Sequence, residues 1–453
     1  SNCERVGHMG IRDDARVETT AAILRANNDA GESALGDLIA DSQLAATKDK
    51  GAVIAFMNPG GIRADLPYSA AGKVDGNVTY GEDITLAQLQ EHYDAVIFAT
   101  GAMADRDLNI PGAELPGSFG AADFVSWYDG HPDVPRDWPL VADSVAVVGA
   151  GNVALDIARM LAKPADEQLS TEIPENVYRG LLANRAKDVH VFARRGPAQL
   201  KFTPMEFREL SHSPSVDVLV TPEGFEIDEA SQAAINKSKA VKLVVNTVLK
   251  YLEAEPTGAP HRIHLHMCQA PVEVLGQESV EGLRTERMEL TGDGTVRGTG
   301  EYTDWPVQAV YRAVGYRSEA LAGLPFDTAE HVVPNEAGRV LDDSGEHLAG
   351  TYVTGWIKRG PVGLIGHTKS DAAETIQCLL ADLDEVAEPV AVDPDAVLEV
   401  IRAAGTEPTV WEDWVQLDAH EIALGEAAGR ERIKVVSREE MIAAGRQDAM
   451  AGR

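Results

Sequence analysis

The chain has 453 residues, and 40 Lys+Arg against 72 Asp+Glu give a formal net charge of −32. At roughly 150 residues per domain this length allows about three domains. A field of that sign repels phosphate backbones and sets general nucleic-acid binding aside. Cys3, Cys268 and Cys378 stand far apart, which excludes a disulfide scaffold, a CxxC redox centre and a four-cysteine iron–sulfur cluster. Any electron transfer therefore needs a bound organic cofactor or a partner's metal. No stretch reaches the ~20 apolar residues of a membrane span, and there is no signal-peptide pattern, so a cytoplasmic address is expected.

Residues 1–10 show no periodicity. Ser33 can cap a helix whose Leu35, Leu38, Ile39 and Ala46 share one face. A short apolar strand over 52–57 runs into Asn58-Pro59-Gly60-Gly61-Ile62-Arg63. From Asp83 the texture changes to strands over 93–100, 145–148 and 189–193, with helices over 123–127 and 152–161 between them. That alternation predicts a parallel α/β sheet. A long helix is expected over 231–251, several strands between 262 and 312, and a short strand at 352–354. Helices over 371–383, 395–404 and 411–427 close the chain, the last with Trp411, Trp414, Val415 and Ile422 spaced as a core face.

The most informative local motif is Gly149-x-Gly151-x-x-Ala154, which follows the strand Val145-Ala146-Val147-Val148 and opens a helix. Gly149 permits the tight turn, Gly151 lets the backbone approach a pyrophosphate, and Ala154 lets helix and strand pack closely. The helix N-terminus then offers N–H groups and partial positive charge to phosphates. The next strand ends in Arg194-Arg195-Gly196, where an NAD site would carry Asp or Glu. Two guanidiniums suit the 2′-phosphate of NADP through charge-assisted bonds. Their distance from Gly151 exceeds the usual ~20 residues, and an inserted helix within 176–186 accounts for it.

The stretches YDAVIFATGAMADRDLNIPG, VVGAGNVALDIARML, FARRGPAQ, TPMEFREL, VYRAVGYR and YVTGWIKRGPVGLIGHTKSDA carry a wider likeness. Over residues 84–453 the chain resembles the adrenodoxin-reductase-like ferredoxin–NADP(+) reductases of actinobacteria. The resemblance implies an α/β fold in which a Rossmann-like NADP domain (106–324) is inserted in a split FAD-type domain (84–105 and 325–453). It also implies that Asn152, Val153, Arg194 and Arg195 contact NADP, with Arg106 and Glu206 beside them. Trp356 and the backbone of Gly363, Leu364 and Ile365 would hold the flavin end of FAD. The partner implied is a ferredoxin-like iron–sulfur protein. Read bottom-up, the helix after Thr368 can aim its N-terminus at the flavin N1/C2 region.

The family opens with its own FAD glycine fingerprint and an acidic residue for the FAD ribose, and residues 12–82 contain neither. The first βαβ unit is replaced, which predicts a weakened hold on FAD unless the head substitutes for it. The head (1–83) instead resembles a fragment of the 5′-nucleotidase C-terminal domain, in GESALGDLIADSQLAAT, AVIAFMNPGGIRADLP and NVTYGE. In that family the loop matching 58–63 meets nucleotide, with Arg63 toward phosphate or ribose. The metal-binding half of a nucleotidase is missing, so hydrolysis stands as a distant alternative, beside a flavin-free NADP-binding remnant.

Three further sets of residues could carry chemistry or docking. His264, His266 and Cys268 alternate along an expected strand and could face a metal, although strands often carry polar faces. Glu209, on the same expected helix as Glu206, is the candidate catalytic residue, contacting nicotinamide or managing a proton. It reads equally as a surface charge beside Arg208. Arg185, Lys187, Lys201 and Arg208 form a candidate basic patch for an acidic ferredoxin. If Arg194 and Arg195 hold the 2′-phosphate, replacing both with Ala should weaken NADPH far more than NADH in titrations of each; equal loss for both would refute that role.

Overall fold

The computed structural model describes residues 78–362, 365–383 and 396–446, together with two paired dipeptides, Gly10–Ile11 and Val17–Glu18. The expected head helix at Ser33, the strand 52–57 and the 58–63 loop lie outside the described residues, as do Gly363 and Leu364. The chain divides into two compact units. The first comprises Ser1–Met103, Arg317–Ala423 and Ser437–Arg453; the second comprises Ala104–Tyr316 and Leu424–Val436.

In the first unit, Thr85 caps helix α1 (Leu86–His92) in a capping box with Gln88. Strand β1 (Val96–Phe98) follows, shorter than the expected 93–100. In the second unit come β2 (Ser118–Gly120), α2 (Ala121–Tyr128), β3 (Ser144–Val148) and α3 (Asn152–Ala162). They are followed by α4 (Glu175–Leu182), β4 (Asp188–Phe192), α5 (Pro204–Glu209) and β5 (Val216–Val220). The expected single helix over 231–251 is two, α6 (Glu229–Lys237) and α7 (Lys239–Glu253). Ser238 leaves the helical region at φ −122°, ψ 117°, and its hydroxyl caps the second helix at the Val241 N–H. A side chain suited to capping thus wins over an unbroken apolar period.

Strand β6 (His261–His266) leads into an antiparallel meander of β7 (Gln269–Leu275), β8 (Gly282–Leu290) and β9 (Val296–Trp305), and β10 (Ala309–Arg312) returns to the main sheet. That sheet is wholly parallel in the order β2-β10-β3-β4-β6-β5. One face packs Val145, Val147, Val189 and Val191 against Leu155, Ile157, Ala158 and Leu161 of α3. Full burial of each larger aliphatic is worth about 2 kcal/mol. The other face, with Ala146, Val148, Phe192 and Val310, packs against Val274, Leu283 and Val307. Helix α3 ends at Lys163, whose extended backbone (ψ 140°) is what a following Pro164 demands.

The first unit continues with β11 (Asn335–Glu336), β12 (Arg339–Leu341) and β13 (His347–Val353), which form a sheet in the order β11-β12-β13-β1. β13 and β1 run parallel, with Tyr352 beside Ile97. Then come α8 (Trp356–Arg359), α9 (Ile365–Leu383), α10 (Ala396–Ala403), α11 (Trp411–Ala427) and α12 (Arg438–Gly445), the last not anticipated from the sequence. The expected core face of α11 is corrected. Trp411, Trp414 and Val415 are exposed, and the two indoles stack on each other at 4.8 Å. Of the expected face only Ile422 is half-buried; the fully buried positions of the helix are Glu421 and Gly425, with Asp413, Leu417, Asp418 and His420 half-buried. Asp413 lies against Gly445, where an added Cβ would come within 2.6 Å of its carbonyl oxygen.

His264 and His266 share a face, as expected, but with His190 of β4 rather than with Cys268. Cys268 lies beyond the strand, buried, at φ +54°. His264 Nε2 is 2.8 Å from Asp188 Oδ1, and Arg262 donates to both oxygens of Asp188. His266 bridges His190 at 3.0 Å and the Thr221 hydroxyl at 2.7 Å, with Trp305 over its ring. No group of three metal-ligating side chains occurs among the described residues. Burial lowers His190 to about 4 and His266 to about 3, from an ordinary 6.5. Between those values the unfolded chain binds more protons than the folded one. The stability held by the neutral rings is therefore complete above pH 6.5 and is lost as the pH falls toward 4 and then 3. The urea midpoint should drop between pH 7 and pH 5, and less steeply in a His190→Phe variant; identical slopes would show that the ring does not carry the effect.

Candidate dinucleotide and flavin sites

The turn after β3 is stitched to the strands on both sides. Gly149 N–H donates to Phe192 O at 3.1 Å, and Ala313 N–H donates to Val148 O at 2.8 Å. A Cβ on Gly149 would lie 2.3 Å from Ala313 O, so the close approach admits only glycine. A Cβ on Gly151 would meet nothing within 4 Å among the described residues, leaving its backbone open to them. Gly151 is also the N-cap of α3 and supplies no side chain, so no side chain caps the first helical N–H groups.

The segment before α5 is laid along this turn. Lys201 N–H donates to Ala150 O at 2.8 Å, and Thr203 N–H donates to Asn152 Oδ1 at 2.8 Å. The expected NADP contact Asn152 thus spends its side chain on Thr203. α5 begins with Pro204 at N1 and brings Glu206 and Glu209 beside α3, where Arg159 lies 3.5 Å from Glu209 and also pairs with Asp156. Burial lifts the Asp156 carboxyl above its ordinary value; Arg159 opposes that shift, and Glu206 and Glu209 add to it. Glu206 Oε2 is buried with no hydrogen-bond partner among the described residues, as a carboxylate awaiting a donor would be.

Arg194 and Arg195 follow β4, the strand paired to β3 in register from Ser144↔Asp188 to Val148↔Phe192. Arg194 is exposed and Arg195 half-buried, and neither enters an ion pair among the described residues. Arg106 lies past the end of β10, its N–H on Gly315 O at 2.9 Å and its Nε on Tyr316 O at 3.0 Å. The carboxyl edge of one parallel sheet therefore gathers Arg106, Gly149, Gly151, Asn152, Val153, Arg194, Arg195 and Glu206, the edge at which such sheets bind ligands. An open glycine backbone, uncapped N–H groups, unpaired guanidiniums and an orphaned carboxylate fit a phosphorylated dinucleotide.

The basic patch expected for ferredoxin is not brought together. Arg185 and Lys187 lie at the amino end of β4, with Arg185 paired to Asp143 at 2.9 Å, whereas Lys201 lies at the carboxyl end beside Ala150. Sequence reasoning also missed Arg159 and the Thr203 clamp. Their signals were present in the Asp156/Arg159 spacing and in a Thr-Pro pair at a helix start.

In the first unit, Trp356 is half-buried at the start of α8, and its carbonyl accepts from the Ser318 hydroxyl at 3.4 Å. Gly355 (φ +74°) and Gly360 (φ +79°) bracket that helix, and no atom of the described residues lies within 4 Å of the Cβ position of either. This open turn sits at the carboxyl ends of the parallel strands β1 and β13 and fits a flat ring laid on backbone. Ile365 opens α9, and its side chain lies outside the described residues, like Gly363 and Leu364. Among the described residues, no helix is long and apolar enough to cross a membrane.

Comparison with known proteins agrees with this geometry. A family model described as pyridine nucleotide-disulphide oxidoreductase matches residues 68–212, and one described as 5′-nucleotidase, C-terminal domain matches residues 14–118. The NADPH-ferredoxin reductase FprA of Mycobacterium tuberculosis is 38% identical over 382 residues, 82% of each chain. The mitochondrial NADPH:adrenodoxin oxidoreductase of Bos taurus is 35% identical over 383 residues, 81% of this chain and 77% of its own. The structure of Mycobacterium tuberculosis FprA in complex with NADPH superposes with a TM-score of 0.75, covering 82% of this chain and 83% of that one. The chain belongs to the adrenodoxin-reductase-like family of ferredoxin–NADP(+) reductases.

Proposed function

We infer that the chain is an NADPH-dependent flavoprotein reductase that passes electrons to a ferredoxin-like iron–sulfur protein. The observation that carries this reading is the unpaired Arg194–Arg195 turn at the end of β4, next to the uncapped helix after Gly151. In this reading the guanidiniums select the 2′-phosphate, and the N–H groups of Asn152 and Val153 take the pyrophosphate. Arg106 and Glu206 complete the grip on NADP(H). Glu209, tethered by Arg159, is the carboxylate assigned to the nicotinamide end. Trp356 and the backbone at Gly363, Leu364 and Ile365 are assigned to the flavin. Bound FAD supplies hydride acceptance from the nicotinamide and release of single electrons. The residues themselves bind and orient each ring, and no side-chain nucleophile is required.

The domain assignment belongs to the same reading: 106–324 for NADP, 84–105 with 325–453 for the flavin, and a head over 1–83. It is supported by the glycine-lined turns at the carboxyl ends of two separate sheets. A cytoplasmic setting accords with the unpaired thiols of Cys268 and Cys378. The purified protein, titrated with FAD, should develop bound-flavin absorption bands that NADPH bleaches, and a ferredoxin-type acceptor should restore them. A protein that binds NADPH but stays colourless with added FAD would overturn the reading.

A further inference from the structure

The turn that follows β13 is held from behind by a single carboxylate. Asp371, in the second turn of α9, accepts the Gly355 N–H at 2.6 Å and the Thr354 hydroxyl at 3.1 Å, both through Oδ2. Its Oδ1 lies 3.2 Å from Lys358 Nζ and 3.5 Å from Arg359 Nε. The Asp371 and Lys358 side chains are only 9% and 6% exposed. Lys358 also reaches Glu374 at 2.7 Å and the Thr375 hydroxyl at 3.2 Å, and that hydroxyl donates to Val353 O at 3.0 Å. Strand end, turn and α8 are thus all referenced to one short stretch of α9.

A buried ion pair adds little net stability over a well-packed apolar pair, whereas stripping one partner is costly. What this pair adds is geometry. Gly355, at φ +74° and ψ −145°, has its N–H turned inward to Asp371, while the position a Cβ would take faces open space. With the backbone fixed from one side, the other side is a preset surface that need not be ordered when a ring is laid on it.

We propose that Asp371 is a positioning residue for the flavin: it fixes Gly355 and Trp356 at the carboxyl end of β13 so that the turn is formed before the ring binds. The proposal rests on the flavoprotein reading above. Asp371→Ala should weaken FAD at least tenfold in an equilibrium fluorescence titration of the full chain, shift the visible flavin band, and leave NADPH affinity within twofold of wild type. A role in global stability alone would lower the melting temperature without moving the flavin band. Asp371→Asn keeps an acceptor for Gly355 but leaves Lys358 and Arg359 short of one charge, and should lose about threefold. It decides the matter if the Ala variant does not fold. FAD affinity and band position matching wild type in the folded variant would overturn the role of Asp371. A wild-type chain that takes up no FAD would overturn the flavoprotein reading itself.

Discussion

Gly149 lies between two neighbouring strands, bonded to Phe192 of β4 and pressed against the Ala313 carbonyl beyond β10. Every other part of the dinucleotide site takes its position from that close approach. It ends β3 at the same level as its neighbours, so α3 starts directly over the carboxyl edge of the sheet and points its N-terminus outward. The register from β3 to β4 then carries Arg194 and Arg195 to that edge, and β10 delivers Gly315 and with it Arg106. A Cβ at position 149 would have to push β10 away, and the pieces would lose their common level.

The layers behind this edge show why a parallel sheet can hold it. β4 and β6 are covered on both faces, by α3 on one side and by the meander on the other. Toward their amino ends the meander side carries Asp188, His190, Arg262 and His264 instead of aliphatics, and each finds a partner there. Buried polar groups are tolerable when satisfied. The polar layer lies away from the phosphate edge on Asp188 and closer to it on His266, whose carbonyl accepts the Ala193 N–H just before the arginines.

Legibility in the sequence followed the range of the interactions. The glycine fingerprint, the Arg-Arg strand end and helices α3 and α11 were readable because each is set by local period or backbone demand. The break at Ser238 was not, because a capping serine inside an apolar period leaves the outcome to packing. The inward face of α11 was misread for a related reason: Gly445 offers a backbone surface to Asp413, and contact with backbone leaves no hydrophobic stripe. The Asn152–Thr203 clamp joins residues 51 apart and the Asp371 hub residues 16 apart, so a Thr-Pro pair at a helix start marks a candidate without naming its partner. The basic patch failed because Arg185 and Lys187 precede β4 and Lys201 follows it, which places them at opposite ends of the sheet.

The net charge of −32 bears on binding through its distribution rather than its sum. With a screening length of about 8 Å at physiological ionic strength, a phosphate at the sheet edge senses mainly its nearest neighbours. Two arginines near that edge are already paired, Arg159 with Asp156 and Arg287 with Glu226. In a chain with 72 carboxylates, leaving the Arg194 and Arg195 guanidiniums without a partner among the described residues forgoes ion pairs that were easy to form. Two cations held apart from so many anions, at the point where the register of β4 ends, keep their charge for an anion that arrives from outside. In the reading proposed above, that anion is the 2′-phosphate of NADP(H).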